Sequence, residues 1–250
     1  MTSRRRERHW LKEIRQAAKE INEIELELPE APRIDSPLRH RVIHVPGCIQ
    51  ACSGIVVFGR RIRSLAFTTD LAIIRNINAD AILAVYPFTP QPIISEMLIR
   101  ASDVPVFSGV GGGITQGKRV VHMAQFAEMQ GASGVVVNVP TTNETIERLV
   151  ETLDVPVIVT VLDEQAVEER LRSGAAILNV AAAYRTPEVV RKIRRKLPEV
   201  PIMATGGPTE ESIKETILAG ANAITWTPPS PGDVFEEIMN GYRTASERKD

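Results

Sequence analysis

The most informative stretch of the sequence is Ala204-Thr205-Gly206-Gly207-Pro208-Thr209. It joins a short apolar run to an amphipathic run that begins after Thr209. We interpret these segments as a β-strand, a turn built on paired glycines and the start of an α-helix. Paired glycines leave backbone amides accessible, and a helix start adds free N–H groups and the positive end of the helix dipole. The stretch therefore predicts a site for an anion such as a phosphate group.

The rest of the chain repeats this strand and helix pattern. Eight apolar runs suited to buried strands lie at residues 64–68, 81–85, 105–108, 134–138, 156–160, 176–180, 201–205 and 223–227. Amphipathic runs separate them, and strands that alternate with helices indicate a parallel sheet. The third, fifth and seventh runs follow Asp-Val-Pro or Glu-Val-Pro, whereas the fourth, sixth and eighth follow Gly-Ala. This internal repeat over eight units favours a single (β/α)₈ TIM barrel, with an open doubly wound sheet as the alternative.

Composition and charge limit the classes of partner. A chain of 250 residues, 43% of them hydrophobic and 4% aromatic, can bury the core of one α/β barrel. The formal net charge of −1 gives no overall attraction to nucleic acid or to an anionic membrane. The sequence has neither a long apolar run nor a leader with a cleavage site. We therefore expect a cytoplasmic protein that binds neither nucleic acid nor membrane.

Residues 1–60 are predicted to form an extension, and residues 61–250 the barrel. Apolar residues recur at helical spacing over residues 10–24, which predicts an amphipathic helix. A connector interrupted by prolines follows, and then two short extended segments at residues 41–45 and 54–58. This helical and hairpin extension is expected to cap or flank the main body.

The cysteines and histidines do not indicate a metal or redox centre. Cys48 and Cys52 are separated by Ile49, Gln50 and Ala51, which is neither a CxxC motif nor half of a zinc knuckle. Reduced thiols in or near the core are favoured over a reactive thiol or a metal ligand. The histidines fall outside the predicted strand ends, and no cluster of acidic residues and histidines has metal-ligand spacing. We expect no cofactor and no dedicated metal site, although a carboxylate with a phosphate can recruit Mg²⁺.

Two aspartates are the candidates for proton transfer, because active sites of TIM barrels lie at the carboxyl ends of the strands. Asp70 follows the first barrel strand and Asp163 follows the fifth. Each can serve as a general acid or base, and each can instead cap the helix that it precedes.

Polar side chains and glycines at other strand ends are the candidates for substrate binding. An amide within an apolar strand needs a partner, which can be a substrate or a neighbouring loop. The glycine-rich loop after the third strand can wrap a ligand through its backbone amides or act as a mobile lid. The predicted substrate-binding residues are Ser108, Gly111, Gly112, Asn138, Thr160 and Asn179.

The Gly206-Gly207 motif, followed by a helix and by Ala219-Gly220-Ala221, resembles the phosphate-binding (ribulose-phosphate-binding-like) TIM-barrel superfamily. Within it, the sequence looks most like the 2-keto-3-deoxy-6-phosphogluconate aldolase group. The resemblance implies that a substrate phosphate is bound after strands 7 and 8, and it implicates Gly206 and Gly207. The predicted phosphate-binding residues are Thr205, Gly206, Gly207 and Ser230. Prolines replace the glycine turn expected after strand 8, and strand 6 lacks the lysine with which these aldolases form a Schiff base. The resemblance thus does not extend to that lysine chemistry.

The leading functional hypothesis is an enzyme that acts on a small phosphorylated metabolite by lyase or isomerase chemistry at a carbonyl centre. The alternative is a regulatory barrel that binds such a metabolite without turnover, which the scarcity of charged strand-end residues favours. A third possibility is that residues 1–60 mediate self-association and the barrel is chiefly a scaffold. We expect a homo-oligomer.

Overall fold

The computed structural model describes residues 43–247, together with Pro32, Ile34 and Ser36. The helix predicted over residues 10–24 lies outside this part of the chain. The strands are β1 (Ile55–Val57), β2 (Arg60–Ile62), β3 (Ser64–Phe67), β4 (Ala81–Ala84), β5 (Val106–Gly111), β6 (Gly134–Val137), β7 (Val157–Val161), β8 (Ile177–Val180), β9 (Ile202–Thr205) and β10 (Ala223–Trp226). The helices are α1 (Leu71–Asn76), α2 (Pro92–Ala101), α3 (Lys118–Met129), α4 (Asn143–Thr152), α5 (Val167–Arg172), α6 (Thr186–Lys196), α7 (Glu210–Leu218) and α8 (Pro231–Glu247). Short 3₁₀ helices occupy Gly47–Ala51 and Ala183–Arg185.

Strands β3 to β10 form a closed barrel in which every neighbouring pair is parallel. The strands follow one another in chain order around the barrel, and β10 closes it by pairing with β3. A helix follows each barrel strand. The prediction of a (β/α)₈ TIM barrel is therefore confirmed, and each of the eight predicted runs overlaps one observed strand.

Alternate residues of each strand contribute to two different parts of the core. Leu65, Phe107, Ile158 and Met203 belong to one buried cluster that joins the strands across the barrel interior. The residues beside them in the strands, such as Val157 and Val159 on either side of Ile158, face outwards and pack against the helices. Because side chains in a strand alternate between faces, each barrel strand is buried on both sides, which explains its continuous apolar character.

A β-hairpin closes the amino end of the barrel. Strands β1 and β2 pair antiparallel through a turn at Phe58 and Gly59, which have φ angles of +47° and +80°. Side chains from the hairpin, including Ile62, share the buried cluster of the barrel interior. The amide of Gly54 donates to the carbonyl of Asn222, directly before β10, at 2.8 Å. The hairpin thus lies in the same compact unit as the barrel, which spans Arg41–Asp250.

The described helices are those of the barrel surface. None of them is long and apolar enough to cross a membrane. Helix α8 lies largely in solvent, and Phe235 and Tyr242 on it are each 66% exposed.

Candidate functional site

A cavity of about 570 Å³ lies at the carboxyl ends of the barrel strands. We call it the mouth cavity. Its polar lining residues are Asn138, Thr160, Asn179, Thr205, Thr225 and Thr227. Its apolar lining residues are Phe67, Leu83, Val85, Val136 and Ala181, and Tyr86 and Pro87 extend over it from the loop after β4. A pocket of this size and position is where TIM barrels and other folds bind small molecules.

Asn179 and Thr160 form a buried polar pair on adjacent strands. The register of β7 and β8 places the two residues side by side, and the Asn179 Nδ2 donates to the Thr160 Oγ1 at 3.1 Å. The side chain of Asn179 is 7% exposed, yet its Oδ1 has no hydrogen-bond partner. A buried polar atom without a partner costs free energy, so this oxygen is suited to accept a hydrogen bond from a ligand.

Thr205 and Thr225 form the corresponding pair on β9 and β10. They are also neighbours in register, and Thr225 is 5% exposed. The hydroxyl oxygen of Thr225 is a second buried atom without a hydrogen-bond partner. Two unpartnered polar atoms therefore belong to residues that line the same cavity.

Two loops extend the mouth cavity at its rim. A smaller adjoining pocket of about 90 Å³ is lined by residues 85–90, by Gly109, Gly111 and residues 113–115, and by Asn138. Phe88 and Ile114, one on each loop, are 75% and 95% exposed. Both loops thus hold an apolar side chain in solvent next to the cavity.

The conformation of the second loop depends on Gly112. This residue has a φ angle of +98°, and its amide donates to the carbonyl of Thr115 at 3.0 Å. A Cβ atom here would collide with the Thr141 Oγ1 and lie 2.6 Å from the backbone nitrogen of Asn138. Gly112 therefore supports the position of Asn138, and its own amide is occupied. Gly111 lines the smaller pocket, and its carbonyl accepts from the amide of Asn138 at 3.1 Å.

The two predicted catalytic aspartates do not line the mouth cavity. The Asp70 Oδ1 accepts from the amides of Ala72 and Ile73 at 2.8 and 3.0 Å, which caps α1. The Asp163 Oδ1 accepts from the amide of Gln165 at 2.9 Å, in the turn before α5. Asp70 therefore caps its helix, whereas the N-cap residue of α5 is Ala166 and Asp163 does not cap it. The catalytic role of both aspartates stays a prediction.

Two residues of the predicted phosphate site have partners within the protein. The expectation that the Gly206 amide is free is wrong, because the register of β9 and β10 lets this amide donate to the carbonyl of Thr225 at 3.1 Å. Ser230 is also occupied. Its amide and hydroxyl donate to the carboxylate of Asp233 at 2.9 and 2.7 Å, and these hydrogen bonds lower the pKa of Asp233.

Gly207 differs from Gly206. It has a φ angle of +84°, and no hydrogen bond within the described part of the chain involves its amide. Helix α7 begins shortly after it with a capping box formed by Thr209 and Ser212. Gly207 and the side chain of Thr205 therefore remain as the accessible part of the predicted phosphate site.

Ser108 lies on the wrong face of its strand for substrate binding. It follows Phe107, whose side chain belongs to the interior cluster, so Ser108 faces the helices. It is 2% exposed and is not part of the cavity lining. The alternation of side chains therefore places Ser108 outside the barrel interior, and its role in substrate binding stays a prediction.

Charged groups are scarce at the cavity. Within the described part of the chain, its lining contains no Asp, Glu, Lys, Arg or His residue. Among the described residues, no three or more His, Cys, Asp or Glu side chains are grouped so that they could hold a metal ion. The thiols of Cys48 and Cys52 are free. Burial is the main cause that raises the pKa of Cys52 to about 11, and the nearby Cys48 adds to it. Cys52 is thus a protonated core residue, as predicted.

The structure brings four of the predicted residues together and adds others. Asn138, Thr160, Asn179 and Thr205 all line the mouth cavity. Sequence reasoning did not select Thr225, although it lies two residues before the end of an apolar run. Counting back in steps of two from each strand end would have found it, since such residues share the interior face.

No protein-family model matches this chain, and no curated protein matches it in sequence. Solved structures are similar in fold. A mandelate oxidase superposes with a TM-score of 0.58 at 14% identity, covering 77% of this chain and 71% of its own. A provisionally assigned phosphonomutase from Burkholderia cenocepacia superposes with a TM-score of 0.54 at 16% identity, and the match covers 75% of this chain and 92% of the phosphonomutase. A dihydrodipicolinate synthase from Aquifex aeolicus superposes with a TM-score of 0.51 at 15% identity, and the match covers 66% of this chain and 69% of the synthase. These similarities support the TIM-barrel fold.

Proposed function

We propose that this protein is an enzyme that binds a small metabolite in the mouth cavity and acts on it by lyase or isomerase chemistry at a carbonyl centre. The observation that carries the proposal is the pair of buried, unpartnered atoms, the Asn179 Oδ1 and the Thr225 Oγ1, in residues lining a cavity at the carboxyl ends of the strands. A folded protein seldom leaves such atoms without partners unless a ligand or water satisfies them.

The cavity offers groups suited to a carbonyl centre. Hydroxyl and amide groups held by rigid strands can donate hydrogen bonds to a carbonyl oxygen and stabilise the negative charge that develops on it. Tyr86 supplies a phenol at the cavity, and its oxygen accepts from the amide of Gln91 at 3.0 Å. A phenol can act as a general acid, so Tyr86 is the proton donor that this proposal favours.

The proposal includes a phosphate on the metabolite. Thr205 lines the cavity, and the chain continues directly into Gly206 and Gly207. The Gly207 amide and the start of α7 would contact this phosphate, whereas the Gly206 amide cannot contribute. With fewer free amides than the sequence suggested, we expect the phosphate to supply only part of the affinity.

The second candidate is a barrel that binds the metabolite without turnover. The absence of acidic, basic and histidine side chains from the described lining favours it, because most proton transfers in enzymes use such groups. Binding alone needs only the hydroxyl, amide and apolar groups that the cavity already provides.

Ligand-induced thermal stabilisation followed by a turnover assay tests both candidates. A panel of sugar phosphates and their unphosphorylated counterparts is added to the full chain, and each stabilising compound is then followed by NMR for product. A ligand at 100 times its Kd should stabilise the fold by about 2.7 kcal/mol, which raises the Tm of a domain of this size by about 5–11 °C. Product formation supports the enzyme, and stabilisation without product supports the second candidate.

A matched pair of variants locates the binding site. Asn179→Leu removes the buried amide of the cavity, whereas Asn76→Leu makes the same change at an exposed position on α1. We expect the first variant to bind the ligand about 3- to 10-fold more weakly, so its stabilisation at the same ligand concentration should fall by about 0.6–1.3 kcal/mol, and we expect the second variant to keep it in full. Stabilisation of Asn179→Leu equal to that of the unaltered chain would refute the proposed site.

A further inference from the structure

We infer that the part of the ligand inside the mouth cavity is uncharged and amphipathic, with one apolar side and one edge that carries hydroxyl groups. This inference rests on the proposed binding site and names the class of molecule that the site accepts. It is carried by the unequal distribution of polar and apolar residues around the barrel.

One half of the cavity is polar. Thr160, Asn179, Thr205 and Thr225 come from the consecutive strands β7, β8, β9 and β10, and we call them the polar wall. The register pairs Thr160 with Asn179 and Thr205 with Thr225, so the four side chains form a continuous surface. Each of the four strands thus presents one hydroxyl or amide group to the same side of the ligand.

The other half of the cavity is lined mainly by apolar side chains, with Asn138 after β6 and Tyr86 after β4 as its polar residues. Its apolar side chains come from three strands, and we call them the apolar wall. They are Phe67 on β3, Leu83 on β4, Val85 just after β4, and Val136 on β6. Strands β3 to β6 are also consecutive, so this wall faces the polar one across the barrel. On β5 the corresponding interior position is Gly109, which has no side chain. A ligand with an aromatic ring or a branched chain fits this side, because such groups gain free energy when they leave water.

The cavity does not provide for a charged group in its interior. The described lining carries no ionic side chain that could pair with one, and burying a charge without a partner is unfavourable. A phosphate or carboxylate on the ligand is therefore expected to remain at the rim near Gly207, where an amide without a hydrogen bond lies.

The polar wall favours a hydroxyl group. The Nδ2 of Asn179 donates one of its two hydrogens to Thr160, and its Oδ1 is an acceptor that still needs a donor. The Thr225 hydroxyl is also unpartnered and can donate or accept. A hydroxyl on the ligand can do both, and it can thus satisfy either residue, whereas a carbonyl oxygen cannot donate to Asn179.

Fluorine NMR with three small probes tests the inference on the full chain. The probes are 4-fluorobenzyl alcohol, which is neutral and amphipathic, 4-fluorobenzoate, which is charged, and 3-fluoro-1,2-propanediol, which lacks an apolar side. Line broadening on titration gives a Kd for each. We expect the alcohol to bind at least about tenfold more tightly than either of the others, since only it matches both walls.

Three variants assign this preference to the polar wall. Thr225→Val and Asn179→Leu each remove one unpartnered group, and each should weaken binding of the alcohol by about 3- to 10-fold, which is the usual effect of one neutral hydrogen bond. Thr141→Val is the control, because its hydroxyl is also buried and unpartnered but lies outside the cavity lining. We expect Thr141→Val to bind the alcohol as the unaltered chain does.

The outcomes separate this inference from the proposed function. Equal or tighter binding of the benzoate or the diol overturns the inference, as does failure of the alcohol to bind or equal weakening by Thr141→Val. If the metabolite panel still stabilises the chain, only the inference fails. If the alcohol binds as expected and no metabolite stabilises the chain, only the proposed function fails. Circular dichroism shows whether Thr225→Val folds, and Asn179→Leu gives an independent measurement.

Discussion

Replacing Gly112 with alanine should destabilise the barrel and disturb the mouth cavity. The φ angle of +98° at this position is one that residues with a side chain rarely adopt. The added Cβ atom would collide with the Thr141 Oγ1 and would lie 2.6 Å from the nitrogen and 2.8 Å from the oxygen of Asn138. Two of these three atoms belong to the backbone, so a side-chain rotation cannot relieve the contact. The loop or the segment after β6 must move.

The loss of stability expected for Gly112→Ala is the sum of two costs. Holding a residue other than glycine at a positive φ angle costs on the order of 1 kcal/mol. Overpacking against surroundings that cannot relax typically adds about 1–3 kcal/mol. We therefore expect the free energy of unfolding to fall by about 2–4 kcal/mol, which lowers the Tm by roughly 5–15 °C for a domain of this size.

Urea denaturation and thermal unfolding measure this effect, and Gly113→Ala is the matched control. A Cβ atom at Gly113 meets nothing within 4 Å, so this variant should stay within about 0.5 kcal/mol of the unaltered chain. Because Asn138 lines the cavity, Gly112→Ala should also weaken binding of any ligand found there. Equal stability of the two variants would refute the reasoning about Gly112.

Three further predictions concern single residues. Gly206→Ala places a Cβ atom 2.7 Å from Ile224 and 2.8 Å from Ile213, so urea denaturation should show a loss of about 1–3 kcal/mol; an unchanged midpoint contradicts this. Asp70→Ala should cost about 1 kcal/mol by removing the cap of α1, and Asp70→Ser should restore most of it. Turnover that is lost in Asp70→Ser despite normal stability would instead show a catalytic role. Because the pKa of Cys52 is raised from 9.0 to about 11, the stability that its thiol contributes is present below pH 9 and declines as the pH rises to 11. The stability of Cys52→Ala should decline less between pH 9 and pH 11 than that of the unaltered chain, and identical profiles of stability against pH would contradict this role of Cys52.

The barrel itself could be predicted because its strands are buried on both faces. Continuous apolar runs with alternating lead-in sequences marked all eight barrel strands to within about three residues, which is a usual boundary error. The hairpin was predicted only in part. The segment at residues 54–58 overlaps β1, but β2 carries Arg60 and Arg61 and has too few apolar residues to stand out. Its pairing depends on the turn at Phe58 and Gly59, and the Phe58-Gly59 sequence is not a typical signal for such a turn.

The site could be predicted only where a polar residue ends an apolar strand. Asn138, Thr160 and Asn179 were found in this way, and all three line the cavity. Ser108 was expected in the site although its side chain faces the helices, because neighbouring residues of a strand point to opposite faces of the sheet. The occupied amide of Gly206 depends on the register between β9 and β10, which a single strand and its turn do not reveal.

The hairpin at the amino end affects how a small molecule can reach the mouth cavity. Since its apolar side chains fill that end, the described part of the chain leaves the barrel interior open at the carboxyl ends of the strands. A small molecule would reach the mouth cavity past the loops carrying Phe88 and Ile114 and leave it the same way. Because both events would use one opening, a bound molecule would have to leave before another could enter.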